Sequence, residues 1–205
     1  MSVNTFLLIA TIGISVASWR NDGLFQKLIL HPFTVVKHRQ YYRLLSSGFI
    51  HQGWMHLLFN MLALFFFGRN VEVIFQYISP DYGSLLYIVF YLTAIIASDL
   101  TTIRKNKENP NYFSLGASGG VSAVVFCWIL FFPLETIYIY FIPLPGFILG
   151  FLYIIYSYYQ SKNASSHINH EAHLFGAVYG ILFTVIAYPQ VLPEFFEQLS
   201  NFKLF

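Results

Sequence analysis

Charge is what this sequence has least of. Asp, Glu, Lys and Arg make up 10% of its 205 residues, against about 25% in an average soluble domain. That deficit, with 57% hydrophobic residues and a mean hydropathy of +0.60, excludes a water-soluble domain with a large core. The net charge is +2, and no basic run stands where a phosphate backbone would need one, so nucleic acid is excluded as a partner. Cysteine occurs once, as Cys127 in an apolar run, which rules out an internal disulfide and says nothing about compartment. The first hydrophobic stretch, Phe6 to Ser18, lacks the basic flank of a signal peptide and is read as a retained first membrane span. There is no internal repeat, no low-complexity segment and no polar stretch of domain size, so function is expected in the membrane body.

What the chain does have is apolar runs of spanning length. A spanning helix takes about 20 mostly apolar residues, with roughly 17–25 as the range. Six candidates occur, at about residues 3–19, 54–74, 85–103, 116–132, 147–159 and 171–188. Between the first two lies a long basic stretch, Arg20 to Arg43, whose apolar pieces predict short helices in the membrane interface. After Pro133, the alternation from Ile137 to Ile142 reads as a strand, and Pro143 and Pro145 break it. That piece is expected to lie along the membrane edge, with the fifth span late and short; a kinked fifth helix starting near Thr136 is the alternative.

Six spans place loops one, three and five on one face. His51, His56 and Asn60 lie just after loop one, Ser118 just after loop three, and His173 just after loop five. All five fall within about two helical turns of that face, at 1.5 Å rise per residue. Polar groups inside a bilayer are costly unless used or satisfied. Serine is a weak nucleophile that needs a base beside it, and histidine is the usual base because its pKa lies near neutrality. Histidine, asparagine and the free N–H groups that open a helix can hold an oxyanion. Together these residues supply the groups of acyl transfer.

Each residue has a plainer role to set beside that one. Gly116, Gly120, Ala123 and the Gly176-xxx-Gly180 pair suit close helix packing. Ser118 alone suits packing as well, and His51 or His56 alone suits a satisfied interfacial histidine. A metal site would draw on His56, His170, Glu171 and His173. The zinc-protease signature, however, spaces its histidines by four, and His170 and His173 are three apart. His170 and His173 can still share a helix face, which leaves a metal-dependent protein as an alternative; no metal or other cofactor is expected. Asp99 reads as a helix-end carboxylate near Arg104 or Lys105, and Asn163-Ala164-Ser165 fits a glycosylation acceptor.

Four segments resemble, in order, the motifs of the rhomboid family of intramembrane serine proteases. They are His51-Gln-Gly-Trp-Met-His56 with Asn60, Gly68-Arg-Asn-Val-Glu72, Gly116-Ala-Ser118-Gly119, and Ala172-His173-Leu-Phe-Gly176 with Gly180. The resemblance spans nearly the whole chain. It implies an all-α, six-transmembrane-helix bundle with a partly membrane-embedded first loop. It implies Ser118 as nucleophile, His173 as general base, and His56, Asn60 and the Ser118 N–H as oxyanion donors. Arg43, His51, Glu72, Gly116, Gly119, Gly176 and Gly180 are implied as structural positions. Its substrates are single-span membrane proteins that enter from the lipid past span five and loop five. A bacterial plasma (inner) membrane is the expected setting.

Two positions depart from the family pattern. Tyr42 precedes Arg43 where the family usually has tryptophan, and Ser122 stands four after the nucleophile, where an aromatic residue often packs on the histidine. A neighbouring Tyr or Phe is expected to fill that gap. Loops one, three and five also carry nine of the eleven basic residues, leaving Arg69 and Lys203 for the other face. The positive-inside rule puts that basic face in the cytoplasm. The family resemblance implies the reverse, and that orientation is adopted.

Overall fold

The computed structural model describes residues 1–139, 141–162 and 168–202. Its first helix, α1 (Val3–Trp19), is followed by three short helices, α2 (Asp22–Leu28), α3 (Pro32–Lys37) and α4 (Arg43–Ser46), and a 3-10 turn over Ser47–Phe49. Next come α5 (Trp54–Ala63), a π turn (Leu64–Gly68) and α6 (Arg69–Ile78), which form one continuous helix. Then follow α7 (Gly83–Asn106), α8 (Ser118–Phe131), a hairpin of β1 (Thr136–Ile139) and β2 (Ile142–Pro145), α9 (Gly146–Gln160), α10 (His170–Ala187) and α11 (Val191–Ser200). The glycosylation acceptor at Asn163 lies outside the described residues, as does Tyr140 in the alternating stretch.

Trp54–Ile78, Gly83–Asn106 and His170–Ala187 are long and apolar enough to cross a membrane. Helices α1 and α8 are apolar but shorter, with 17 and 14 residues, and α9 has 15. Each of the six apolar stretches is thus helical, while three reach spanning length. The expectation of a purely helical chain needs one amendment, because β1 and β2 pair antiparallel with Thr136 opposite Pro145 and Ile139 opposite Ile142. Prolines cannot donate to a ladder and sit at such edges; the Gly146 N–H closes the hairpin on the Glu135 carbonyl at 2.9 Å.

The bundle is held by backbone approach and by buried polar pairs. A Cβ on Gly176 would sit 2.2 Å from the Gly119 carbonyl oxygen, and one on Gly180 would sit 2.4 Å from that of Ala123. Only glycine lets α10 lie so close to α8, the small-residue packing that membrane bundles use. At the other end, Glu72 is buried on α6, and its two oxygens accept the Val3 and Asn4 N–H groups at 3.0 and 3.1 Å. A carboxylate there satisfies two free donors of α1 and faces its positive end. The Asn4 side chain donates to the Leu64 carbonyl beside the π turn and accepts from the Tyr87 hydroxyl at 2.7 Å. Polar side chains thus fasten α1 to α5–α6 and α7 where lipid gives no hydrophobic drive.

Asp99 takes a different place from the one expected. It is buried on α7, and Lys105 pairs instead with Glu171 on α10 at 2.8 Å. Lys105 lies six residues on and cannot share a helix face with Asp99, whereas Glu171 faces it across the helix pair.

Gly176→Ala should cost about 1–3 kcal/mol, because its methyl meets backbone that cannot move aside. Gly13→Ala, with nothing within 4 Å of the added carbon, should raise stability by about 0.5–1 kcal/mol. Thermal unfolding in detergent, read by circular dichroism, separates the two: the first midpoint falls and the second rises or holds.

Candidate active site

Three elements bring the polar residues to one end of the bundle. Gly116 adopts φ +118°, a left-handed conformation suited to glycine, and turns the chain into α8 with Ser118 as its first residue. The same glycine is the floor on which the His56 imidazole rests, since a Cβ there would lie 2.7 Å from His56 Nε2. His56 itself sits on the first turn of α5. The α8–α10 crossing at Gly119 and Gly176 brings the first turn of α10, with His173, beside the first turn of α8, with Ser118. Ser118, His56 and His173 are all half-buried.

His51 builds the wall behind them. It is fully buried, its ring lies 4.9 Å from that of His56, and its Nε2 accepts the Ala117 N–H at 3.4 Å. With Nε2 accepting, the neutral ring carries its proton on Nδ1 and donates it to Ser15 Oγ at 3.0 Å. Ser15 donates in turn to the Phe49 carbonyl, and the Trp19 indole N–H donates to the His51 carbonyl. His51 therefore ties α1 and the end of loop one to the residue just before Ser118. Arg43 does similar work within loop one, donating to the Gln26 and Ile29 carbonyls at 2.8 and 2.7 Å and to the Gln40 side chain at 2.7 Å. Tyr42 lies under its guanidinium at 5.5 Å, so a tyrosine supplies the ring at that position.

Not every expected contact is present. No hydrogen bond joins Ser118 Oγ to His173 among the described residues. The Asn60 amide donates to the His56 carbonyl at 2.9 Å, one turn back on its own helix. Catalytic hydrogen bonds are often long without substrate and tighten when it binds. His170 and His173 lie with ring centroids 5.7 Å apart. Among the described residues, no group of three His, Cys, Asp or Glu side chains is arranged to hold a metal ion.

The structure adds one residue that the motifs do not name. Tyr153 on α9 reaches across to α8, where its hydroxyl lies 2.5 Å from Ser122 Oγ, and its ring lies nearly parallel to His173 at 14° with centroids 6.3 Å apart. An aromatic ring therefore does pack on the histidine, delivered from a different helix. A sequence signal exists for it: Gly150 and Ser157, both buried, flank Tyr153 on one helical face.

Comparison with known proteins agrees with this architecture. The chain is a multi-pass membrane protein. A family model of the rhomboid domain matches residues 38–190, and the chain belongs to the rhomboid family, whose members are generally intramembrane serine proteases. Its relatives include RHOMBOID-like protein 12, mitochondrial, of Arabidopsis thaliana, 29% identical over 83% of this chain. Another is Rhomboid protein 1, mitochondrial, of Saccharomyces cerevisiae, 28% identical over 68% of this chain. The matches cover 54% and 40% of those two proteins, so the chain spans about half of their length.

Burial, with His56 close by, pushes the His51 pKa down to about 3 from an ordinary 6.5. Between those values the unfolded chain binds the proton and the folded chain does not, so this contribution to stability is full above pH 6.5 and shrinks as pH falls towards 3. The unfolding midpoint should drop on acidification from pH 7 to pH 5, with a shallower slope in His51→Gln. Equal slopes in the two proteins would place the pH sensitivity elsewhere.

Proposed function

We propose that this chain is an intramembrane serine endopeptidase that cuts single-span membrane proteins with a Ser118–His173 dyad. The observation that carries the reading is the meeting of α8 and α10 at Gly119 and Gly176, which sets a serine at one helix start beside a histidine at another. His56 against Gly116 adds a donor on the third side. His173 takes the Ser118 proton as Oγ attacks the scissile carbonyl carbon. The oxyanion so formed is held by His56, by Asn60 once its amide turns from the His56 carbonyl, and by the Ser118 N–H. Collapse breaks the C–N bond as His173 hands its proton to the leaving amine. Water then attacks the acyl ester, giving one proton to His173, which returns it to Ser118 as the acid product leaves.

The full reading has six crossings, with α1, α8 and α9 spanning a locally thinned bilayer. Substrate helices enter from the lipid beside α9. The proposed setting is a bacterial plasma membrane with the active face outside. A second setting, an organelle membrane, is favoured by the mitochondrial names of the two relatives. Subcellular fractionation of a tagged copy in the native host decides between them. A non-catalytic member that binds membrane helices is the competing function, and the missing Ser118–His173 hydrogen bond favours it.

Labelling of the purified protein with a fluorophosphonate serine probe should be strong in the parent and fall to background in Ser118→Ala and His173→Ala. His56→Ala should slow labelling by about 100-fold, the loss expected on removing one oxyanion donor. A folded parent that stays unlabelled would support the non-catalytic reading.

A further inference from the structure

Of all the spans, α9 is held in the bundle least firmly. Only Gly146, Gly150 and Ser157 of its residues are buried, and Phe151, Leu152, Ile155, Tyr156 and Tyr159 face outward. It approaches α8 through Gly150, where a Cβ would meet Ile129 Cδ1 at 3.3 Å and Phe126 Cε1 at 3.4 Å. In a membrane, such a helix keeps its place through close packing and the polar links it makes. Tyr153 makes such a link. Its hydroxyl meets Ser122 at 2.5 Å, its ring tilts against Phe126 at 5.6 Å, and its plane runs within 14° of the His173 imidazole, centroids 6.3 Å apart.

We propose that Tyr153, anchored by Ser122, is a positioning residue for the His173 imidazole, which is aligned for proton transfer only while α9 is seated. The proposal rests on the Ser118–His173 dyad. Ser122 lies one turn after Ser118 on α8, so the Tyr153 hydroxyl is referenced to the nucleophile's own helix. Its ring is referenced to the base. An imidazole pivots about its side-chain torsions, and a near-parallel ring restricts that pivot. The edge of His173 towards His170 meets a ring tilted at 75°, which leaves Tyr153 as the flat stop. One side chain thus ties the alignment of base and nucleophile to the position of the loosest helix. When α9 moves away from α8, the hydroxyl link breaks and the base loses its stop together.

The test measures fluorophosphonate labelling of the full chain in detergent, separating the maximal labelling rate from the probe concentration at half-maximal rate. Tyr153→Leu and the unbranched Tyr153→Met should lower the maximal rate by about 10-fold or more, the scale of loss when a reacting group is misplaced by a fraction of an ångström. The half-maximal concentration should stay put. Tyr153→Phe, which keeps the ring and loses the anchor, should fall between the parent and Tyr153→Leu, and Ser122→Ala should behave like Tyr153→Phe. Lipid-facing Phe151→Leu should match the parent. Melting temperatures identify any variant that fails to fold, and either Leu or Met suffices. An unlabelled parent would overturn the dyad and this proposal with it. A labelled parent with an equally fast, folded Leu or Met variant would overturn this proposal alone, as would a Tyr153→Phe variant as slow as Tyr153→Leu.

Discussion

The closeness of α8 and α10 is the constraint on which the rest depends. Bare backbone at Gly176 and Gly180 lies on bare backbone at Gly119 and on the carbonyl of Ala123. In lipid there is no hydrophobic gain from pressing apolar helices together, so dispersion at short range and the absence of side chains must do it. That contact fixes the relative height of the two helix starts. A shift of one turn would carry His173 about 5.4 Å along the bundle and out of reach of Ser118. The proposed site is therefore a product of where two helices touch, and the chemistry proposed for it comes from the residues that open them.

Around this contact, polar side chains take over the fastening that apolar surface performs in water. Asn4, Glu72 and Tyr87 join α1, α6 and α7 at one end. His51, Ser15 and Trp19 join α1 to the start of α8 at the other. Arg43 spends its guanidinium on carbonyls within loop one, and Ser114 pairs with Leu30 to bind loop three to loop one. Lys37–Glu108 and Lys105–Glu171 tie loop and helix ends on the same face. Several of the basic residues that crowd this face are thus engaged in holding the loops together.

Much of this was legible in the sequence. The six apolar stretches, the glycine pairs and the convergence of His56, Ser118 and His173 follow from periodicity and from counting turns. The departure at Ser122 pointed to a missing ring. It could not say which residue replaced it, because a contact between α8 and α9 depends on packing across two helices and no local period encodes it. Asp99 failed for the same reason: Lys105 found a closer partner on α10, which is near in space and 66 positions away in the chain. The alternation from Ile137 to Ile142 reads as one strand ended by Pro143 and Pro145; instead it divides between β1 and β2, and both prolines lie inside β2 opposite Tyr138 and Thr136, a register that only pairing reveals. Asn60 lies where the pattern put it, with its amide turned to its own helix.

The cap that Glu72 places on α1 also sets an order of assembly. Val3 and Asn4 leave the ribosome 69 and 68 residues before the carboxylate that accepts their N–H groups. Until then the first helix carries free donors at its start, and it belongs to water or headgroups at that end. A helix made before its partner is thus one that locks late. Its final depth in the membrane is dictated by a partner inserted after it.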